Sequence, residues 1–350
     1  MKNARYFRLT AAILSAVLLL TLAACGGNNA DPEPSSSVPT TTTTTTAAPP
    51  PPKGDLNTLT GEYDLFTKND RYIGYVVTDE DSRHIQLNLE DADFYFESET
   101  EGGIPRILAV FSSVDRIPDE IGPIRSARPH FAKFANAMDM IYCHIGGSTS
   151  GLNTIQQLGV DDVRNAEQTS ATLTNSSNRS WNRKVFPKTK VLNEIKQRGH
   201  STASTYAGPY QFGEKEGTLP ATTVDVKISA SYQMAFTYNA ESGLYQKHRN
   251  SLSTPVHTTY TGGTIEVNNV IVMYDNRFVD PLDAKRCDFT MQSGDGILAS
   301  GGKSRSIKWK NTSSGLKYYE ADGSTPLTVS TGKTFVCLTS NSFKSQTTVK

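Results

Sequence analysis

The stretch DADFYFESETEGGIPRILAVF, Asp91–Phe111, decides the fold of this chain. Alternate residues of a strand share a face, so Asp93, Glu97, Glu99 and Glu101 fall on one side and Phe94 and Phe96 on the other. Gly102 and Gly103 supply the positive φ that a two-residue primed hairpin turn needs. In that register Glu101 faces Ile104, Thr100 faces Pro105 and Glu99 faces Arg106, an opposite-charge pair contributing about 0.2–1 kcal/mol. Pro105 has no N–H to give to a ladder, which predicts a hairpin bordering a sheet edge. The carboxylates on one face repel one another. Two readings of that face stay open: a solvated surface with Arg106 as counter-ion, or the wall of a cleft that further arginines answer.

The next stretch, EIGPIRSARPHF (Glu120–Phe131), supplies those arginines. Pro129 suits the first turn of a helix and pushes Arg128 out of helical geometry, so IRSAR is the lead-in and the helix begins near Pro129. Two cations beside the positive end of a helix dipole call for an anion. It is either internal, from Glu97, Glu101 or Asp119, or external, a phosphate or carboxylate held by helix N–H groups and guanidinium forks. Ser126 either caps the helix or joins that arrangement. CHIGGSTSG (Cys143–Gly151) is a short strand entering a Gly/Ser turn before a second helix, without the lysine and spacing of a P-loop. His144 reads as a packed strand histidine or as a base. Adjacent Cys143 points to the opposite face and cannot pair with it.

Around these stretches, residues 55–210 mix strand patterns (RYIGYVVTD, PRILAVFSS) with helical ones. PHFAKFANAMD carries an apolar stripe, and LNTIQQLG and TKVLNEIKQRG each end on a glycine stop. Residues 160–185 are polar and predict a long surface loop. YAGPYQFGEKEGTLPATT (206–223) is a Gly/Pro-rich junction, after which short alternating strands follow one another between turn signals. The fold class is therefore α+β, with an N-terminal mixed α/β domain over 55–210 and a mainly antiparallel β domain over 211–350.

At the N-terminus, Lys2, Arg5 and Arg8 precede the apolar run LTAAILSAVLLLTLAA, which ends at Cys25. A positive start and a short apolar core make residues 1–24 a signal peptide rather than a membrane span. Leu22–Cys25 resembles the lipobox of bacterial lipoproteins, in which the cysteine is lipidated and becomes the new N-terminus. Residues 25–54, rich in Thr and Pro, are an extended tether without the apolar side chains to fold. The expected location is the cell membrane, lipid-anchored on its extracytoplasmic face. The chain carries 35 Lys and Arg against 35 Asp and Glu with no basic block, which excludes a nucleic-acid partner. Cys143, Cys287 and Cys337 are an odd set in apolar contexts. Buried free thiols are the favoured reading and a Cys287–Cys337 bridge the other. No metal spacing and no G-x-S-x-G elbow occurs, so no metal, cofactor or hydrolase triad is expected.

Taken together, these stretches resemble the YerB-like lipoproteins, a family whose domains have no assigned activity. The likeness is carried by NTLTG (57–61), DADFYFESETEGGIPRILAVF, IGPIRSARPHF and DMIYCHIGGS. In the second half it is carried by VNNVIVMYDN and the long stretch from SGDGILAS to KTFVCLT. The resemblance implies an N-terminal and a C-terminal family domain behind a lipobox. By position, the family's polar motif falls on Asp93, Glu97, Glu101, Arg106, Arg125, Ser126, Arg128, His144 and Ser148. The chain departs from the pattern at TDED (78–81), where the family has an Asn pair, and at FPKTK (186–190), which replaces a Pro-His-Asn motif. Arg106, Arg125, Ser126, Arg128, His144 and Ser148 are thus the candidate anion or polar site, with Asp93, Glu97 and Glu101 as candidate acidic partners. The expected role is binding of an anionic cell-envelope ligand or an envelope protein through this cluster. The alternatives are an enzyme acting on cell-wall or lipid-linked phosphate substrates, with Glu97 or Glu101 as general acid/base, and an envelope scaffold.

Overall fold

The computed structural model describes residues 54–63, 66–79, 86–173 and 180–350. Cys25, the signal-peptide residues and nearly all of the tether lie outside them. In chain order, the first half supplies β1 (Ile73–Thr78), β2 (Phe94–Glu99), β3 (Pro105–Phe111), α1 (Pro129–Ala137), β4 (Ile141–Cys143), α2 (Thr149–Leu158), β5 (Asp162–Val163) and α3 (Lys188–Arg198). The second half supplies β6 (Leu219–Pro220), β7 (Thr223–Lys227), β8 (Gln233–Asn239), β9 (Leu244–His248), β10 (Glu266–Val267) and β11 (Asn269–Asp275). It continues with β12 (Arg277–Asp280), β13 (Asp283–Phe289), β14 (Ser293–Ser300), β15 (Lys303–Thr312), β16 (Gly315–Glu320), β17 (Thr334–Ser340) and β18 (Thr348–Val349). The helices begin and end as their sequences dictate. Pro129 takes the first position of α1, and Gly159 and Gly199 close α2 and α3 in the left-handed conformation.

Strands dominate, and eleven of them form one mixed sheet in the order β6-β15-β14-β11-β17-β2-β3-β1-β4-β5, with β16 also on β15. The two segments expected as domains both contribute to it. β2 of the first half pairs in parallel with β17 of the second, Phe94 opposite Thr334 and Glu97 opposite Cys337. The β2–β3 hairpin therefore lies mid-sheet, not at an edge. Pro105 is tolerated because it is the first residue of its strand. One face of the sheet packs on α1, where Phe96 stacks on Phe134 with ring centroids 3.9 Å apart. Over β2 and the strands of the second half, the other face is covered by a five-stranded sheet, β10-β9-β8-β7-β18, through Val226, Phe236 and Tyr245.

The hairpin register differs from the expected one by a residue. Ser98, not Glu99, faces Arg106, and Glu99 faces Pro105. The turn contains three residues, Glu101–Gly103, closed by the Thr100 amide donating to the Ile104 carbonyl at 2.8 Å. Both glycines have positive φ, which a two-residue or a three-residue turn can use. A slip of one residue moves a side chain to the other face. Arg106 consequently lies on the α1 side with Phe94 and Phe96, while Glu97 lies beneath the second sheet. Residues 160–173 and 180–185 are more ordered than a free loop, since Gln168–Thr169 pairs with Lys184–Val185.

Candidate functional site

Arg106 and Arg128 meet at one carboxylate. Arg106 Nη2 donates to Glu101 Oε1 at 2.9 Å, Arg128 Nε donates to Glu101 Oε2 at 2.6 Å, and Arg128 Nη2 also reaches Oε1. Two further donors go to backbone: Arg106 Nη1 to the Ser126 carbonyl and Arg128 Nη1 to the Ala127 carbonyl, both at 2.7 Å. The three-residue turn is what makes this possible, because it carries Glu101 past the strand end to the helix side. The Arg side chains are 11% and 5% exposed and that of Glu101 33%. Burial alone would push the Glu101 carboxyl up, but Arg128 and Arg106 outweigh it and hold the group down at about 2. Burial, then repulsion by Arg128, lowers Arg106 to about 10 despite Glu101. The Tyr142 hydroxyl is buried near Arg106 and beside the Arg128 backbone.

The other expected members are placed differently. Arg125 lies close enough to repel Arg106, but it donates to the Trp181 carbonyl at 2.9 Å and to Asn182 Oδ1 at 2.5 Å. Ser126 contributes its carbonyl and does not cap α1; the N-cap is Arg128, in extended geometry. Ser148 caps α2, its Oγ accepting from the Gly151 amide at 3.0 Å. His144 is fully buried between two acceptors, Gly146 O at 2.7 Å from Nδ1 and Asp162 Oδ2 at 3.1 Å from Nε2. Asp162 also holds Arg198 and Arg164. This network is spatially adjacent along the chain but bonded away from the arginines.

Asp93 and Glu97 do not join the cluster. Each carboxylate from Asp93 to Glu101 has recruited its own cation from a different segment. Asp93 accepts from Arg116 and from the Ser112 amide and hydroxyl. Glu97 and Asp79 enclose Lys247 of β9, with Lys247 Nζ 2.8 Å from Asp79 Oδ2 and 3.4 Å from Glu97 Oε2, and His257 alongside. Burial and the Asp79 charge, only partly offset by Lys247, hold the Glu97 carboxyl well above its ordinary range. Glu99 pairs with Arg277 of β12. Six residues at 3.3 Å each separate Asp93 from Glu99 by about 20 Å, so these are distinct ion pairs rather than one acidic wall. Sequence reasoning missed Arg116, Lys247 and Arg277. The Lys247 signal was present: it shares the inward parity of Tyr245 on an alternating strand.

The thiols of Cys143, Cys287 and Cys337 are free and buried, with no bridge among them. Burial first, then the Glu99 charge, pushes Cys287 up to about 12, so it is not a ready nucleophile. Trp309 is buried in the core beside Met273 and Tyr318 and donates to the Tyr274 carbonyl at 3.3 Å.

Two models of one family match the chain. The N-terminal domain of a protein of unknown function, DUF3048, matches residues 59–202, and the C-terminal domain of the same family matches residues 224–336. Together they span more than half of its length. The chain belongs to this family. A relative from Bacillus subtilis (strain 168), named "Putative lipoprotein YerB", is 23% identical over 255 residues, covering 69% of this chain and 73% of the relative. The crystal structure of the YerB protein from Bacillus subtilis superposes with a TM-score of 0.68 at 21% identity, over 80% of this chain and 95% of that one. That likeness establishes a shared fold. In this member of the family, the EGGIPR and GPIRSAR stretches meet in space as the Glu101–Arg106–Arg128 cluster.

Proposed function

We propose that the protein is a lipid-anchored lipoprotein of the extracytoplasmic membrane face that binds an anionic envelope ligand, without turnover, at the Arg106–Arg128–Glu101 cluster. The anchor is supported by the lipobox-like Cys25 and by the relative's name. Among the described residues no helix is long and apolar enough to cross a membrane. One observation carries the binding site: two nearly buried guanidiniums share a single carboxylate, and their mutual repulsion outweighs what Glu101 returns to Arg106. A second anion entering beside the partly exposed Glu101 carboxylate would complete the charge balance.

Binding of inorganic pyrophosphate to the detergent-solubilised full chain tests the site. Arg128→Ala is expected to weaken it by about tenfold or more, equivalent to about 1.4 kcal/mol. Equal affinity in wild type and variant would remove the cluster from consideration. Incorporation of labelled palmitate, expected to disappear in Cys25→Ala, tests the anchor separately.

A further inference from the structure

On the far side of the Glu101–Gly103 turn lies a cleft of about 410 Å³ whose lining includes Glu99, Gly103, Ser229, Arg277, Lys285 and Ser342. Glu99 and Gly103 come from the first half of the chain and the rest from the second, so the cleft lies on the seam between them. Ligand sites recur at such seams. The glycine is required here. Gly103 has a φ of +74°, and a Cβ on it would lie 2.6 Å from Ser229 Cβ, so only a residue without a side chain lets the two turns close together.

The lining is a donor set. Arg277 is tied to Glu99 through Nε and Nη2 and also lies against the Cys287 thiol, while its side chain remains 35% exposed toward the cleft. Lys285 is exposed, and its ammonium has no ion pair among the described residues. Ser229 Oγ accepts from the amides of Ser231 and Tyr232 at 3.3 and 3.1 Å, so its own proton is left to donate. Ser342 adds a hydroxyl that exchanges a bond with Ser340 at 2.9 Å. Two cations against one carboxylate leave an excess of one positive charge, beside hydroxyls that suit a polyhydroxylated group.

We propose that this seam cleft is a second binding site, taking an oxyanion borne on a polyol or sugar, with Arg277 and Lys285 on the anion and the serine hydroxyls on the polyol. It stands apart from the Arg106–Arg128 cluster, because the turn directs the Glu101 side chain one way and opens Gly102 and Gly103 to the other. Glycerol 1-phosphate and glucuronate are the two probes, each titrated against the detergent-solubilised full chain by calorimetry. The first carries the oxyanion as phosphate, the second as carboxylate.

At least one probe is expected to bind saturably. Lys285→Ala, a surface change that the fold tolerates, is expected to weaken that binding about tenfold. Arg277→Gln is expected to weaken it further, and Arg128→Ala to leave it unchanged. The probe bound more tightly identifies which oxyanion the cleft prefers. Wild-type binding that Lys285→Ala leaves intact, binding lost only in Arg128→Ala, or no binding of either probe would each overturn the seam site. The pyrophosphate experiment on Arg128→Ala reports on the other cluster independently.

Discussion

At the scale of single residues, Glu101 neutralises two arginines that are otherwise buried together. Glu101→Gln would leave both guanidiniums against a neutral amide. The loss of charge-assisted hydrogen bonds costs about 2 kcal/mol, read as a lower denaturant midpoint with unchanged slope. The same residue sets part of the acid sensitivity. Its folded value of about 2 lies below the ordinary 4.5, so its contribution is complete above pH 4.5 and is lost as pH falls toward 2. His130 acts in a higher window. It is buried, with Nε2 3.0 Å from the Glu99 carbonyl, and burial and then Lys133 lower it from 6.5 to about 3. Between those values the unfolded chain binds a proton that the folded one refuses, so stability declines as pH drops from 6.5. The expected result is that, between pH 6.5 and 4.5, the melting temperature of His130→Gln gains on that of wild type as pH falls, because the variant lacks the His130 loss. Equal slopes in that interval would show that His130 is not the group responsible.

At the scale of elements, strand parity and helix boundaries were legible because they rest on local rules. Pro129 starts α1, Gly159 and Gly199 stop their helices, and Phe94 and Phe96 share a face. The hairpin turn was not, since Gly102-Gly103 satisfies a two-residue and a three-residue closure equally well. What selects the longer one is tertiary: Glu101 reaches Arg128, and Gly103 admits Ser229. That single residue decided the site as well. With a two-residue turn Arg106 would face Glu99; with three it faces α1, and the arginine cluster forms there instead. The partners Arg116, Lys247 and Arg277 come from segments that meet β2 only after folding, so although parity turns Lys247 inward, no spacing along the chain says which carboxylate each would meet. Gly103→Ala tests how much the turn matters. Both the left-handed φ and the contact with Ser229 oppose a methyl group, and a loss of about 1–3 kcal/mol is expected in chemical denaturation. Gly243→Ala, also at positive φ but with open space around it, serves as the comparison. It carries the backbone penalty without the clash, so equal losses in the two variants would mean that the seam contact contributes nothing.

At the scale of the whole molecule, the two matched family segments behave as one body because they share a sheet and a buried charge cluster. β2 pairs with β17, and above them Asp79 and Glu97 of the first half hold Lys247 of the second, all nearly inaccessible to solvent. Asp79 first and Glu97 second raise Lys247 against the pull of burial, while burial and the Asp79 charge hold the Glu97 carboxyl well above its ordinary range. Glu97 therefore contributes fully below its ordinary 4.5 and loses its contribution as pH rises above that value, the opposite of Glu101. Glu97→Gln retains the shape of the protonated acid and is expected to change stability at pH 4.5 by no more than about 1 kcal/mol in either direction. Lys247→Met removes the cation from two buried carboxyls and leaves Asp79 charged without its main partner, a change that costs about 3–5 kcal/mol. Because the cluster joins the halves, wild type should unfold in one transition by both fluorescence and circular dichroism. Lys247→Met should lower that transition or split it in two. A Lys247→Met variant as stable as Glu97→Gln, still unfolding in one step, would show that the shared sheet alone unites the two halves.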